Sequence, residues 1–225
     1  MKQWLTQEES KLSEKKARIA QALLSAGVVG FVFDSPRTFK SGLKSPVYLD
    51  NRKLLMHPEA WHMVIGELKE TVESLRITQP VIAGIETAGI PHSAALAYAM
   101  GLPTVFVRKQ AKEHGLQQRI EGGDVRGREV VLIEDQITTG GSSLSSVFPL
   151  REAGATVNHC LAITSYGFAE SSRAFAAADV IPHVMITFAD LLPEIRRAGL
   201  LPEERVAEIE LWLTDPLAWA AQRNT

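Results

Sequence analysis

The chain has 225 residues, enough for one sizeable core, and its hydrophobic (45%) and charged (22%) fractions are those of an ordinary globular protein. A formal net charge of -2 excludes a protein that binds nucleic acid electrostatically over its whole surface. The single cysteine, Cys160, excludes an intrachain disulfide and a metal site built of thiolates, and its apolar neighbours predict a buried structural thiol.

The N-terminal part of the chain predicts two helices with two short strands between them. Thr6-Gln7-Glu8-Glu9 has the spacing of a capping box and predicts a helix to about Gly27. Short strands are expected at residues 31–35 and 45–50, and a second helix at 57–75. The N-terminus lacks the apolar stretch of a signal peptide, and no run reaches the ~18 apolar residues of a membrane helix. We therefore expect a cytoplasmic protein.

From residue 80 onwards, short apolar runs alternate with helical patterns. The runs cover residues 80–85, 103–108, 129–134, 157–163 and 183–187, and the helices cover 90–100, 142–153, 169–178 and 188–199. Nearly continuous apolar strands between helices are typical of a parallel sheet covered on both faces. The sequence therefore predicts an α/β fold with an open, mainly parallel sheet flanked by helices. A last short helix should begin at Asp215-Pro216.

Ligands of open α/β sheets bind beyond the carboxyl ends of the strands. Four segments follow predicted strands on that side of the sheet, at residues 84–91, 108–123, 134–143 and 164–168. We expect these segments to meet at one edge of the sheet.

The segment IEDQITTGGSS, residues 133–143, combines acids with a loop of threonine, glycine and serine. Glu134 and Asp135 are expected where a strand leaves the sheet, and the loop leads into a helix. A helix start offers unpaired amides and partial positive charge to a phosphate, and glycines let the backbone approach it. The acids can accept hydrogen bonds from sugar hydroxyls. A ribose 5-phosphate meets both demands, and a capped turn with incidental acids is the alternative.

Other phosphate and catalytic motifs fail. Residues 84–90, GIETAGI, have the glycine spacing of a P-loop, but Ile90 and Pro91 replace its lysine and hydroxyl residue. The sequence contains neither the G-x-G-x-x-G fingerprint of dinucleotide sites nor the G-x-S-x-G nucleophile elbow.

Four segments resemble those of a known family. Residues 130–143, VVLIEDQITTGGSS, resemble the phosphoribosyl-diphosphate (PRPP) loop of type I phosphoribosyltransferases, and FVRKQAKEHG, residues 106–115, resembles the R-K-x-x-K-x-H-G signature of orotate phosphoribosyltransferases. FKSGLKSPVYLDNRKLL (39–55) is similar to part of their N-terminal hood, and TAGIPHSAALA (87–97) is similar to their pyrophosphate-side loop. The colinear similarity, from about residue 20 to 190, implies the type I phosphoribosyltransferase fold with a small N-terminal hood.

The resemblance also implies one phosphoribosyltransferase domain over residues 1–225, with the N-terminal helix and hood in 1–60 and a helical extension in 200–225. The implied reaction joins orotate to PRPP, giving orotidine 5'-monophosphate and pyrophosphate in de novo pyrimidine (UMP) biosynthesis. Mg2+ is expected on the PRPP itself, with no direct protein ligand. A homodimer with shared active sites is expected, with no nucleic-acid or membrane partner.

Cleaving the anomeric C–O bond builds positive charge on ribose and negative charge on pyrophosphate, so the site needs cations for the leaving group. The resemblance assigns catalysis to Lys112, which would reach the partner's site, together with Glu134 and Asp135. The residues expected to bind PRPP are Thr87, Ala88, Arg108, Lys109, Lys112, His114, Glu134, Asp135, Gln136, Ile137, Thr138, Thr139, Gly140, Gly141 and Ser142. The residues expected to bind orotate are Thr138, Lys40 and Tyr48.

Several of these assignments have alternatives. Tyr48 is equally well explained as a half-buried strand aromatic, and the polar segment 113–124 as a closing lid or as a solvated hairpin. Some family members carry lysine where Ala88 stands, and an arginine that grips the orotate carboxylate near Gly167. A phosphoribosyltransferase for another base is therefore the second hypothesis. A PRPP-sensing regulator is the third, disfavoured because the chain lacks a basic helix-turn-helix extension and retains Lys112.

Overall fold

A computed structural model of the protein describes residues 2–39, 41–110 and 119–223. Internal contacts divide the chain into two compact units. We call Met1–Trp61 with Ile186–Thr225 the hood unit, and His62–Met185 the sheet unit. The single domain over residues 1–225 stays a prediction. Among the described helices, we find none with the length and hydropathy needed to cross a lipid bilayer.

Ten strands and eight helices cover most of the described residues. The strands are β1 (Val29–Phe31), β2 (Arg37–Thr38), β3 (Lys44–Ser45), β4 (Val47–Leu49), β5 (Val81–Ile85), β6 (Thr104–Val107), β7 (Ile120–Glu121), β8 (Glu129–Ile137), β9 (Thr156–Ser165) and β10 (Ile181–Thr187). The helices are α1 (Lys2–Ser25), α2 (Pro58–Ser74), α3 (Gly89–Met100), α4 (Gly141–Glu152), α5 (Ala169–Ala177), α6 (Phe188–Arg197), α7 (Glu203–Thr214) and α8 (Pro216–Gln222), with a 3-10 helix at Asn51–Met56.

A six-stranded sheet in the order β10-β9-β8-β5-β6-β7 forms the centre of the fold. Strands β6, β5, β8 and β9 are parallel to one another, and β7 pairs antiparallel with β6. Every residue of β5 is buried, as expected for a central strand with covered faces. The open, mainly parallel α/β sheet predicted from the apolar runs is confirmed.

One face of this sheet packs against α4 and α5. Its core contains Leu132 and Cys160 from the strands and Val147, Leu150 and Phe175 from the helices. Cys160 is fully buried, and this burial raises the pKa of its thiol. The prediction of a buried structural thiol is confirmed.

The hood unit contains two small antiparallel ribbons and helices from both ends of the chain. In one ribbon β1 pairs with β4, which places Gly30 opposite Tyr48. In the other, β2 pairs with β3, and both strands lie between β1 and β4 in the chain. Helix α1 packs against α6, where Lys16 Nζ lies 2.9 Å from Asp190 Oδ1 and Gln21 Nε2 donates to Glu194 Oε2.

Three boundaries differ from the sequence predictions. Helix α1 begins at Lys2, before the expected capping box at Thr6. The strand expected at 31–35 is wrong, since β1 ends at Phe31 and pairs with β4 while a separate strand starts at Arg37. Strand β8 continues to Ile137, three residues beyond the expected end at Glu134.

Candidate active site

The described parts of the four segments predicted to meet at one edge of the sheet do so, at residues 84–91, 108–110, 119–123, 134–143 and 164–168. They follow or end the parallel strands β5, β6, β8 and β9, whose carboxyl ends share that edge. Backbone hydrogen bonds join neighbouring segments: Glu86 N donates to Val107 O over 3.0 Å, and Tyr166 N donates to Ile137 O over 3.3 Å. The edge is therefore a continuous structure.

The two acids lie within β8, which corrects the expectation that the strand ends at them. Pairing with β5 stops at Ile133, whereas pairing with β9 continues through Glu134 to Ile137. The ten-residue strand β9 supplies this longer ladder. Glu134 and Asp135 therefore extend past the last residue paired with β5 while the backbone stays fixed on its other side.

Glu134 is buried, with 5% of its surface exposed. Ser143 Oγ donates to its Oε2 over 3.3 Å, and the Asp135 backbone N donates to its Oε1 over 3.2 Å. Burial raises the pKa of Glu134 well above its ordinary value, and the negative charge of Asp135 raises it further. Asp135 is only half-buried. The pair thus combines one acid that retains its proton to higher pH with one more accessible carboxyl.

The loop after β8 leads into α4 with its first-turn amides uncapped by a side chain. Gly140 is the N-cap, with φ of 87°, and a Cβ there would lie 2.9 Å from the Phe175 ring. The first turn contains no acidic residue, and Gly141 and Ser142 are exposed. A helix start of this kind can bind an anion through its amides.

The pyrophosphate-side loop lies directly against β8. Gly89, the first residue of α3, is buried, and a Cβ there would collide with the Ile133 carbonyl oxygen and lie 3.5 Å from Glu134 Cα. Only glycine allows this approach. Thr87 is exposed and Ala88 half-buried beside it. The backbone of residues 87–89 is thereby held next to the acid pair.

Two of the predicted cations lie at the end of β6. Lys109 N donates to Glu86 Oε2 over 2.8 Å, which ties the chain after β6 to the chain after β5. The Arg108 guanidinium lies 3.6 Å from Glu121 Oε1, and the Lys109 side chain is exposed. Lys112 and His114, the other two predicted cations, lie outside the described residues, as does the first half of the predicted lid, residues 113–118.

The Arg119 side chain donates hydrogen bonds to two backbone carbonyl groups in different segments. Its Nε donates to Arg108 O over 2.8 Å and its Nη1 to Ser145 O over 2.9 Å. Arg119 therefore fixes the residue after β6 to the first turns of α4. Sequence reasoning missed this tether and that of Glu86. The one available signal was the position of Glu86, an acid immediately after a buried strand.

In the hood unit, Tyr48 is packed on both sides. A Cβ at Gly30 would overlap its ring, and the Arg37 guanidinium lies 4.2 Å from the ring centroid. Tyr48 is half-buried, and this packing fits both interpretations of its role. Lys40 lies outside the described residues. The orotate-binding roles of Tyr48, Lys40 and Thr138 stay predictions.

The positions that depart from the family pattern are built without a cation. Gly167 is exposed with φ of 75° and lies between Tyr166 and Phe168, whose rings stack 5.7 Å apart. Arg173 is exposed on α5. His92 is fully buried on α3, and burial lowers its pKa to about 4. It is therefore neutral near pH 7.

Comparison with known proteins identifies the family. Residues 51–167 match the phosphoribosyl transferase domain family. The chain is 38% identical over 206 residues to an orotate phosphoribosyltransferase of Bacillus caldolyticus, covering 92% of this chain and 100% of that protein. It is 40% identical over 211 residues to one of a Ruegeria species, covering 92% and 93%. The chain belongs to the orotate phosphoribosyltransferase family.

A solved structure supports the same assignment. The crystal structure of an orotate phosphoribosyltransferase from Aeropyrum pernix matches with a TM-score of 0.67 and 26% sequence identity, covering 82% of this chain and 99% of that one. The type I phosphoribosyltransferase fold expected from the PRPP-loop resemblance is confirmed. The family assignment also confirms a pentosyltransferase.

Proposed function

We propose that the protein transfers the ribose 5-phosphate of PRPP to orotate, giving orotidine 5'-monophosphate and pyrophosphate, in de novo pyrimidine (UMP) biosynthesis. The observation that carries this proposal is the junction of β8 and α4. It sets the Glu134–Asp135 pair beside an uncapped helix start and beside the backbone of Thr87–Gly89. Relatives named orotate phosphoribosyltransferase support orotate as the base.

The PRPP loop would hold the two ends of the ribose 5-phosphate. The amides of Gly141 and Ser142, with the hydroxyls of Thr138 and Thr139, would bind the 5'-phosphate at the positive end of α4. Asp135, the more accessible acid, would accept hydrogen bonds from the ribose hydroxyls. Its negative charge would also stabilise the positive charge that develops on the ribose ring as the anomeric bond breaks.

The leaving pyrophosphate needs donors and cations on the opposite side of the ribose. The backbone of Thr87–Gly89 would supply amides, and Arg108 and Lys109 would supply charge from the end of β6. Lys112 and His114 join this set by resemblance. Fixing these groups before the reaction avoids the cost of orienting them in the transition state.

Mg2+ fits this chemistry as an ion carried by the substrate. The described residues contain no group of three or more histidine, cysteine or acidic side chains that could hold a metal ion. Mg2+ commonly binds substrate phosphates and keeps several waters. As the resemblance implies, its ligands here would come from PRPP, with no direct protein ligand. When bound, the ion would neutralise charge on the departing pyrophosphate.

The assay that tests the proposal mixes the protein with PRPP, Mg2+ and one base at a time: orotate, uracil, adenine or guanine. We expect loss of orotate absorbance with release of pyrophosphate. Turnover of another base without turnover of orotate would support the second hypothesis, which Ala88 and Gly167 favour because neither supplies a cation for the orotate carboxylate. Nucleic-acid binding without any turnover would support the regulator instead.

We further propose a cytoplasmic homodimer in which Lys112 serves the partner's active site. Lys112→Ala should then lower turnover by about a hundredfold or more while PRPP binding changes little. Mixing Lys112→Ala with Asp135→Asn subunits should restore part of the activity, since hybrid dimers contain one intact site. No recovery after verified subunit exchange would indicate sites made within one chain.

A further inference from the structure

The segment of the hood unit that contains Tyr48 is held in place by the far end of the chain. We call residues 33–48 the hood segment, and residues 203–223, which include α7 and α8, the C-terminal extension. Both the hood segment and the extension lie outside the 51–167 match to the family domain.

The first contact is made by Trp212 on α7. Trp212 is fully buried, and its Nε1 donates to the Lys44 carbonyl oxygen over 2.8 Å. Its ring meets the Phe39 ring edge-on, with centroids 6.4 Å apart. One side chain thus fixes both the backbone of β3 and an aromatic residue of the turn before it.

The second contact is made by Arg223, just after α8. Its Nη1 donates to the Phe33 carbonyl oxygen, and its Nη2 lies 2.8 Å from Glu208 Oε1. Glu208 also accepts from Trp219 Nε1 over 3.2 Å and pairs with Arg205, whose guanidinium lies 4.6 Å from the Phe33 ring centroid. The start of the hood segment is therefore bonded to a cluster organised around one carboxylate.

A surface pocket borders both contacts. It measures about 530 Å3 and is lined by Asp34, Ser35, Pro36, Lys44, Trp219 and Arg223. Lys44 belongs to the first contact and Arg223 to the second, so the stretch of the hood segment along this pocket is fixed at both ends.

The position of Lys44 is passed on to Tyr48 through the next residues. Ser45 is buried, its Oγ donates to Val47 O over 2.6 Å, and the same Oγ accepts from Val47 N over 3.2 Å. This closed pair of bonds fixes the bend between β3 and β4, where Tyr48 follows Val47.

We propose that Trp212 and Arg223 are positioning residues for orotate: they fix the hood segment and, through it, Tyr48. The proposal rests on the proposed function, because it takes orotate as the base and Tyr48 as one of its contacts. Loosening either contact spreads Tyr48 over more positions, so orotate binds more weakly while the PRPP loop in the sheet unit is unchanged.

The test compares Trp212→Phe and Arg223→Gln with Arg196→Gln. Arg196 is the matched control. It pairs with two acids of α7, Glu203 and Glu210, but forms no hydrogen bond or ion pair with the described residues of the hood segment. Both test variants should raise the KM for orotate about tenfold, leave kcat and the KM for PRPP within about threefold, and speed amide exchange in residues 33–48. The control should change none of these.

Four outcomes overturn the proposal. An unchanged orotate KM with faster exchange shows a contact that is only structural. Equal falls in kcat and PRPP affinity, or the same orotate effect in Arg196→Gln, show a general loss of stability. Exchange is measured without substrate, so unchanged exchange also rejects it. Failure of the proposed function is separate, since it would show as a wild-type protein that does not turn over orotate.

Discussion

The hydrogen bonds within the sheet unit and those within the hood unit join residues at very different separations along the chain. In the sheet unit the site residues follow or end strands, and their bonds join residues such as Glu134 and Ser143, nine positions apart, and Arg119 and Ser145, 26 positions apart. In the hood unit the corresponding bonds join residues 168 and 190 positions apart. A site assembled at strand ends can therefore be recognised from short motifs, whereas the support of the hood cannot.

The two units also contain carboxyls with opposite pKa shifts. Burial and the neighbouring Asp135 raise the pKa of Glu134. Burial would also raise the pKa of Asp190, but hydrogen bonds from Thr187 and Lys16 outweigh it and hold the pKa below its usual value. Glu134 is thus held at a cost in stability when it ionises, whereas Asp190 stabilises the fold by ionising.

The largest effect should follow from Asp135→Asn in the sheet unit. Removing the accessible negative charge beside the ribose should lower kcat/KM at least about a hundredfold. Steady-state kinetics with orotate and PRPP measure it, and circular dichroism confirms that the fold is kept. Asp124→Asn is the control. Asp124 is an exposed acid of the same unit, and in the described structure its side chain accepts a hydrogen bond only from the nearby Arg126 N. Equal activity of the two variants would contradict a role for Asp135.

Gly89→Ala and Gly66→Ala should change stability in opposite directions. A methyl group at residue 89 would collide with the Ile133 carbonyl oxygen, so unfolding free energy should fall by about 3 kcal/mol, and PRPP binding should weaken. Nothing lies within 4 Å of a Cβ at Gly66 in α2, so the same change there should add about 0.5–1 kcal/mol. Urea unfolding measures both. A stable Gly89→Ala protein would mean that α3 can move away from β8.

Glu134→Gln should stabilise the free protein increasingly as pH rises. The folded-state pKa of Glu134 is raised, so folding takes up a proton between about pH 4.5 and that higher value, and stability is lost across this window. Glutamine removes the loss, with a slope of up to about 1.4 kcal/mol per pH unit. Unfolding curves at pH 5 and pH 8 test this, and a pH-independent difference would mean that Glu134 is ionised throughout.

Asp190→Asn should have a small effect on stability, with a pH dependence opposite to that of Glu134→Gln. Asp190 completes the capping box of α6 with Thr187, so the variant should lose about 1 kcal/mol at pH 7. The folded-state pKa is lowered, so this stabilisation is present above about pH 3.8 and is lost as pH falls through the folded value. Thermal unfolding at pH 7 and pH 3 should therefore show a difference that disappears in acid.

The sequence was sufficient for the sheet and for recognising the family from residues 130–143, because both depend on local periodicity and on residues adjacent in the chain. It was insufficient for the end of β8: Asp135 and Gln136 interrupt the apolar run, and only pairing with β9 continues the strand. The burial of Glu134 depends on Ser143 and on the contact of Gly89 with β8, which no motif specifies. The long-range contacts of Trp212 and Arg223 were equally invisible.

Gly89 has one more consequence. The main chain at the entrance to α3 touches the main chain of β8 without an intervening side chain. If the proposed function is right, the distance between the groups that hold the sugar and those that hold the diphosphate does not depend on the side chain at residue 88. A substitution at residue 88 would then exchange a neutral group for a charged one, and change base preference, without moving the sugar relative to its leaving group.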